Sequence, residues 1–491
     1  MSTPPKACPF LPALALVLLA APFALAQDGE EPPPAPPASG ETGEGAKGGE
    51  DGATSPGRRG RAPKGEPRRG GNRRAGPPAK ESGPPATIAE AHGRLEALRS
   101  LPLGGPGSLV QRLRQIRTLV ENTLVLPSVA EASGEDLFRL ADLTLEAERH
   151  GEATGFAGGY LAAEGEHASE ASARAILIRS LSAEDRIEEG DVAVEAFRKA
   201  LPKDPGLASS LRHLGDACLR KGLVEKGLAR FSESMDAAGG AKSAEYAAAL
   251  QCAAETLSAL GRMEEARKLV DGAVEAQPEG EGTRDRLLHI RHRLDLIGKP
   301  FPDPEVAAWT GEAPLDLAAL KGRVRVWHFM AWWMESGREE LEFWGKALDR
   351  LEEKGLAVVP LTRTTGWNPK AGRFTPGRKP GAEIADIRAA SPDFPWSRPI
   401  GIGEGRKAFE GAGVRGLPME VVVDRAGVVR FVRAGGGTGP ELALLVSEGL
   451  LKEEAPLPGE GPRPANPDSL DPGKPEPSPA PDPAPEDPDQ D

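Results

Sequence analysis

The sequence predicts a multidomain protein: tandem α-helical hairpins, then an α/β domain with a mixed sheet, between disordered termini. Apolar residues from Thr87 to Gly298 recur at steps of three and four, the spacing of amphipathic helices. From Phe301 short apolar runs alternate with helical periodicity, the pattern of a sheet covered by helices. The 60 glycines and 49 prolines of the 491 residues crowd largely outside these elements, and hydrophobic content is only 39%, so a large part of the chain builds no core. A net charge of −13 argues against a general nucleic-acid surface. Cys8, Cys218 and Cys252 are too few for a disulfide framework or a four-cysteine metal site.

Residues 1–26 read as a signal peptide. Lys6 charges its start, Phe10 to Leu25 is almost wholly apolar, and Ala24-Leu25-Ala26 has the small-x-small form of a cleavage site. Pro12 and Pro22 interrupt the apolar run, which falls short of the roughly 20 residues of a comfortable membrane span. Cleavage would leave no transmembrane span and an exported protein, periplasmic or in the cell envelope or extracellular space; retention as an amino-terminal anchor is the alternative. Residues 27–85 lack apolar periodicity and are expected to be disordered. Their charge falls in blocks: seven acids between Asp28 and Asp51, then nine basic residues from Arg58 to Lys80. The basic block suits a solvated tether or contact with an acidic envelope surface rather than a specific nucleic acid. Residues 453–491 form a Pro-rich acidic tail, with 13 prolines after Glu454, and read as an extended disordered spacer.

Within the helical region, 86–298, Ile88, Leu95 and Leu98 mark a first helix and Leu109 to Leu124 a second, closed by Pro127. A third helix is expected from Gly134 to about Arg149, with a weaker pair after Glu152. Phe197 and Phe231 lie at matching places in candidate helices Val192–Ala200 and Val224–Met235, and a further copy follows, with Gly261 in the turn and Leu257, Leu260, Leu269 and Val274 along the seam. Residues 207–280 resemble tetratricopeptide repeats. The likeness is weak over 171–206 and absent upstream, so two to three repeats are expected. Cys218 and Cys252 read as small buried apolar residues, a bond between them being the alternative. His289 and His292 sit among arginines and read as surface residues, and no metal or other cofactor site is legible.

The α/β region, 301–452, opens with a candidate strand over Arg323–Met330, followed by a helix from Ser336 to Leu351 and a second strand over Leu356–Leu361. A long irregular insertion, 363–412, carries Trp367, Phe374, Phe394 and Trp396 among basic residues and is placed to fold over the end of the first strand. Two strands, Met419–Val423 and Val428–Ala434, flank the turn Asp424-Arg425-Ala426-Gly427, and a last helix runs from Gly439 to Lys452.

In order and separation, Phe301-Pro302, Trp309, Leu315 to Gly322, Phe329-Met330-Ala331-Trp332-Trp333 and Gly413-Val414-Arg415-Gly416-Leu417-Pro418 resemble the landmarks of the thioredoxin-like fold, specifically exported thiol-disulfide oxidoreductases and redoxins related to alkyl hydroperoxide reductases. The resemblance covers about a third of the chain and implies a redox-active Cys-x-x-Cys at the start of the helix after the first strand. Here Trp333 precedes Met334 and Gly337 in those two places. A thioether cannot ionise and glycine has no side chain, so the exchange chemistry of the family lacks its nucleophile. The resemblance also implies a cis proline, here Pro418, beside the site. Trp332, Trp333, Met334, Leu417 and Pro418 are therefore candidate peptide-binding residues, with Trp332 expected to be an exposed anchor. Ser336 reads as a helix cap, and His328 is on a strand with no supporting acid assignable from sequence.

The expectation is an exported scaffold that binds a protein or extended peptide through a redox-inactive thioredoxin-like domain, without catalytic residues. The alternatives are the family activity, thiol-disulfide oxidoreductase or peroxidase-type redoxin, or an enzyme whose thiol, Cys218 or Cys252, is brought to Pro418 by the helical region.

Overall fold

The computed structural model describes residues 83–101, 106–165, 167–277, 282–371, 373–435 and 438–453. The signal peptide, nearly all of the charged linker and the Pro-rich tail lie outside the described residues. Among the described residues eleven α-helices come first: α1 (Ile88–Ser100), α2 (Pro106–Leu124), α3 (Glu135–Glu146), α4 (His150–Ala162), α5 (Glu170–Ala183), α6 (Ile187–Ala200), α7 (Gly206–Arg220), α8 (Val224–Ala237), α9 (Ala244–Ala259), α10 (Met263–Glu275) and α11 (Gly282–Leu296). Among the described residues no helix is long and apolar enough to cross a membrane.

From α3 to α10 the helices form four hairpins with one shared turn. Glu148, Asp185, Gly222 and Gly261 occupy equivalent positions with φ of 62°, 56°, 73° and 73°. The next residue in each turn donates its N–H back to the preceding helix: Arg149 to Thr144, Arg186 to Leu181, Leu223 to Cys218 and Arg262 to Leu257, at 2.8 to 2.9 Å. This bond satisfies a carbonyl that the helix end leaves without a partner, and the left-handed residue makes the reversal tight. The repeat therefore begins at Glu135 rather than at 171 and counts four hairpins rather than two or three. Sequence reading loses the first and sees the second only weakly because an acidic residue, not glycine, holds the left-handed position. Phe197 and Phe231 are both fully buried, as their matched spacing predicts. Gly215 lets α7 approach α8, since a Cβ there would lie 2.6 Å from the Phe231 ring.

The α/β domain follows with β1 (Ala308–Trp309), β2 (Val324–Phe329), α12 (Glu335–Leu351), β3 (Leu356–Arg363), β4 (Trp367–Asn368), β5 (Arg373–Phe374), α13 (Pro380–Ala390), β6 (Gly401–Gly403), α14 (Lys407–Glu410), β7 (Met419–Val423), β8 (Val429–Ala434) and α15 (Glu441–Lys452). Six strands form one sheet in the order β1-β6-β3-β2-β7-β8, and β4 and β5 form a separate hairpin. The β2-β3 and β3-β6 pairs are parallel; β1-β6, β2-β7 and β7-β8 are antiparallel. Every residue of β2 and β7 is buried, and both read as largely apolar runs, interrupted by Arg325 and His328 in β2 and by Glu420 in β7. The insertion is not irregular: it supplies the β4-β5 hairpin, α13 and β6. Gly401 and Gly403 hide β6 in the sequence, yet a Cβ on either would meet Leu361 or Ala408 at 2.4 Å, so the strand requires them.

The helical stack and the sheet share a core. Phe231, Cys252, Ala253 and Leu260 cluster with Val324, Trp344, Phe431 and Val446. The connecting segment adds backbone pairing to β8, through Gly298 N–H to Val429 O at 2.8 Å and Val429 N–H to Lys299 O at 2.9 Å. Glu255 on α9 fastens the junction. Its carboxylate accepts from the backbone N–H groups of Ala434 and Thr438 and from the Thr438 hydroxyl, at 3.3, 3.0 and 2.9 Å, while Gln251 donates to Ala434 O at 3.0 Å.

Candidate functional site

The site lies where β2 turns into α12. Met334 N–H donates to Ala331 O at 2.8 Å and closes the turn; Met334 is the residue before the helix, and no side chain caps it. Ser336 is thus inside the helix and is not the cap that its sequence position suggested. Met334 is half-buried and Gly337 is buried. A Cβ on Gly337 would sit 2.9 Å from Met330 Cβ, so the position that would carry the second thiol is already filled by the residue that follows β2.

The two tryptophans of the turn part company. Trp332 is 5% exposed and packs in a cluster with Met330, Leu341, Trp367, Ile387 and Phe394. Its indole N–H donates to Glu383 at 3.1 Å, and its backbone N–H donates to the Thr362 hydroxyl at 3.1 Å. Trp332 is core, and the exposed-anchor expectation is corrected: the bulk and the N–H of this indole are both satisfied inside the domain. Trp333 is half-buried and donates to the Thr365 hydroxyl at 3.4 Å. It meets Trp367 and Phe374 at ring-centroid distances of 5.7 and 5.6 Å, and those two rings lie 5.3 Å apart. Phe374 is 44% exposed. The insertion therefore folds over this turn as expected, delivering two aromatic rings to Trp333.

Glu383 of α13 holds the arrangement together. This buried carboxylate accepts from Trp332, from the Thr365 hydroxyl at 3.1 Å, and from the Thr365 and Gly366 N–H groups at 2.9 and 2.6 Å. Two of the basic residues of the insertion also serve the fold: Arg378 donates to Trp367 O and pairs with Asp386, and Arg388 donates to Trp309 O.

Pro418 follows a cis peptide bond, as expected, but the residue is buried and its carbonyl accepts the Gly435 N–H at 2.7 Å. That carbonyl is spent within the domain, so strand addition through it is not available. Leu417 packs with a different cluster, that of Phe301, Trp327 and Met419. Of the five candidate residues the structure packs Trp332 and Trp333 with the insertion and Leu417 with the Phe301 cluster, and buries Pro418.

Cys218 and Cys252 are free and buried. Burial pushes the Cys218 thiol up to about 11 and that of Cys252 well above its ordinary range, so neither supplies a thiolate at neutral pH. His289 and His292 are half-buried, and burial together with Arg415 lowers the pKa of both.

Sequence reading missed one polar cluster beneath the turn. His328 on β2 faces Glu420 on β7, which in turn faces Arg433 on β8, directly across the sheet. Arg433 bonds Glu420 Oε2 at 2.5 Å and Glu340 of α12 at 2.6 Å, and Trp344 donates to Glu420 Oε1. His328 therefore has two carboxylate neighbours where none was assignable. Burial opposes its charging, but Glu420 and Glu340 outweigh burial and raise its pKa above the ordinary histidine value. Against its own burial, Arg433 and His328 hold Glu420 well below the usual carboxylate range. The available signal was polar residues inside apolar strand runs, at His328 and Glu420.

Strand order and helix placement define a thioredoxin-like α/β domain without a cysteine pair, behind an all-helical repeat region. The absence of a Cys-x-x-Cys pair argues against the active site of a thiol-disulfide oxidoreductase. No protein-family model and no curated protein matches the chain. Among solved structures it is similar to a thiol-disulfide isomerase from Corynebacterium glutamicum, at 19% identity over 32% of this chain and 97% of that one, with a TM-score of 0.24. A thioredoxin-family thiol:disulfide interchange protein from Chlorobium tepidum TLS aligns at 16% identity over 31% of this chain and 97% of that one, TM-score 0.24. BtubC from P. vanneervenii aligns at 15% identity over 47% of this chain and 97% of that one, TM-score 0.26.

Proposed function

We propose that this protein is an exported scaffold that binds an extended polypeptide on the aromatic face of a redox-inactive thioredoxin-like domain. The observation that carries the reading is the cluster of Trp333, Trp367 and Phe374, built over the turn whose thiol positions hold Met334 and a sterically closed Gly337. Rings held rigid by their own packing offer contact area at low entropic cost, and Phe374 is exposed. Export rests on residues 1–26 as read from sequence, and the helical repeats would present the domain or engage a second protein.

The test is a titration of the full chain with a reduced, S-carboxymethylated and therefore permanently unfolded polypeptide, followed by tryptophan fluorescence. Saturable binding is expected, and Phe374→Ala should weaken it about tenfold, the loss expected for one exposed aromatic anchor. Its thermal midpoint should shift by no more than a few degrees. Equal affinity in wild type and variant would sink this reading.

A further inference from the structure

We propose that His328, Glu340 and Glu420 form a binding site for one divalent transition-metal ion, buried between the sheet and the first turns of α12. One ligand atom from each, all within 4.8 Å of one another, comes from a separate element: β2, α12 and β7. His328 and Glu420 are fully buried and Glu340 is 16% exposed at its side chain.

The orientation of the three side chains is the argument. Arg433 takes one oxygen of each carboxylate, Glu420 Oε2 and Glu340 Oε1, and so turns the other oxygen of each toward His328. Glu420 Oε1, which also accepts the Trp344 indole N–H, and Glu340 Oε2 then stand 3.4 and 3.6 Å from His328 Nδ1. The other ring nitrogen, Nε2, lies 3.1 Å from Gly337 O and donates to it. An imidazole whose far nitrogen donates to a backbone carbonyl presents a bare lone pair at the near one, the second-shell arrangement of metal-bound histidines. His328 Nδ1 and Glu340 Oε2 are both buried without a hydrogen-bond partner. A lone pair facing two carboxylate oxygens in a dry site needs a positive charge at that point.

A proton on Nδ1 would draw a carboxylate to the length of a charge-assisted hydrogen bond, about 2.7–2.9 Å. The observed 3.4 and 3.6 Å are longer. They match the edges of a tetrahedron whose ligands lie about 2.0–2.2 Å from a central ion, roughly 3.3–3.6 Å. A second group of the same composition, His92, Glu96 and Asp142, makes the contrast. There the Arg99 guanidinium sits on the facing oxygens themselves, 2.6 Å from Glu96 and 2.8 Å from Asp142, and already supplies the cation. One nitrogen and two oxygen ligands suit zinc and its neighbours rather than calcium or magnesium. An ion there would pin α12 to the sheet.

The experiment uses the full chain, stripped with a chelator, exchanged into zinc-containing buffer and passed over a desalting column before metal analysis. About one zinc per chain is expected, with a thermal midpoint raised by zinc and lowered again by chelator, and cobalt in its place should give visible absorption of a tetrahedral site. Glu340→Gln keeps an oxygen for Arg433 and His328→Gln keeps similar bulk; each should reduce retained zinc at least tenfold. Wild-type protein that is folded but retains no zinc and shows no midpoint shift would overturn the proposal, whether or not the variants fold. Zinc retained equally by both variants would overturn it too, as would nitrogen NMR showing His328 protonated at both ring nitrogens with zinc present.

Discussion

Trp332→Ala is expected to lower the stability of the folded chain by about 3–5 kcal/mol, the usual cost of emptying a buried tryptophan site. The indole is 5% exposed, and its removal opens a cavity among Met330, Leu341, Trp367, Ile387 and Phe394 that backbone from three elements cannot collapse to fill. It also takes from Glu383 one of its four donors. Trp332→Phe should recover most of the packing and lose mainly the hydrogen bond, about 1–2 kcal/mol. Urea unfolding of the three proteins reads the difference, and a Trp332→Ala loss below about 1 kcal/mol would show the side chain to be an exposed element after all.

Glu255→Ala should cost a similar amount, about 3–5 kcal/mol, by a different route. The carboxylate is 2% exposed, and its removal strands the buried N–H groups of Ala434 and Thr438 and the Thr438 hydroxyl. It also leaves the Arg293 guanidinium, 3.7 Å away and deep in the same junction, without its compensating charge. Breaking a buried ionic contact from one side costs more than the contact contributes, because the abandoned partner remains desolvated. Because α9 and β8 lie in one core, hydrogen exchange should accelerate in both elements together. Faster exchange in β8 alone, with α9 unchanged, would show the junction to be a surface contact between independent units.

The parts of the fold that were legible are those in which one residue type serves one role. The strands β2, β3, β7 and β8 read from their apolar runs because both faces are buried, and α12 read from Leu341, Trp344, Leu348 and Leu351 along one stripe. The first hairpin did not and the second did only weakly, since Glu148 and Asp185 adopt a conformation that the sequence signals only when glycine holds it. Strand β6 was invisible because its need for space, not its propensity, selects Gly401 and Gly403. At the site, the missing thiols were legible from Met334 and Gly337 alone. Which of two adjacent tryptophans faces inward was not: that depends on Thr362, Glu383 and the rings of the insertion, which meet the turn only in three dimensions. The pairing of Glu420 with His328 on one side and Arg433 on the other was hidden for the same reason, being a matter of strand register.

Reduction of insulin disulfides by dithiothreitol tests the central claim, that this thioredoxin-like domain acts without thiol chemistry. The measurement compares buffer, the full chain, and the Cys218→Ser, Cys252→Ser double variant. Both proteins are predicted to leave the reduction at the buffer rate, because the two thiols are buried with raised pKa values and the turn before α12 holds none. Turnover above the buffer rate in the wild-type chain that disappears in the double variant would contradict the account.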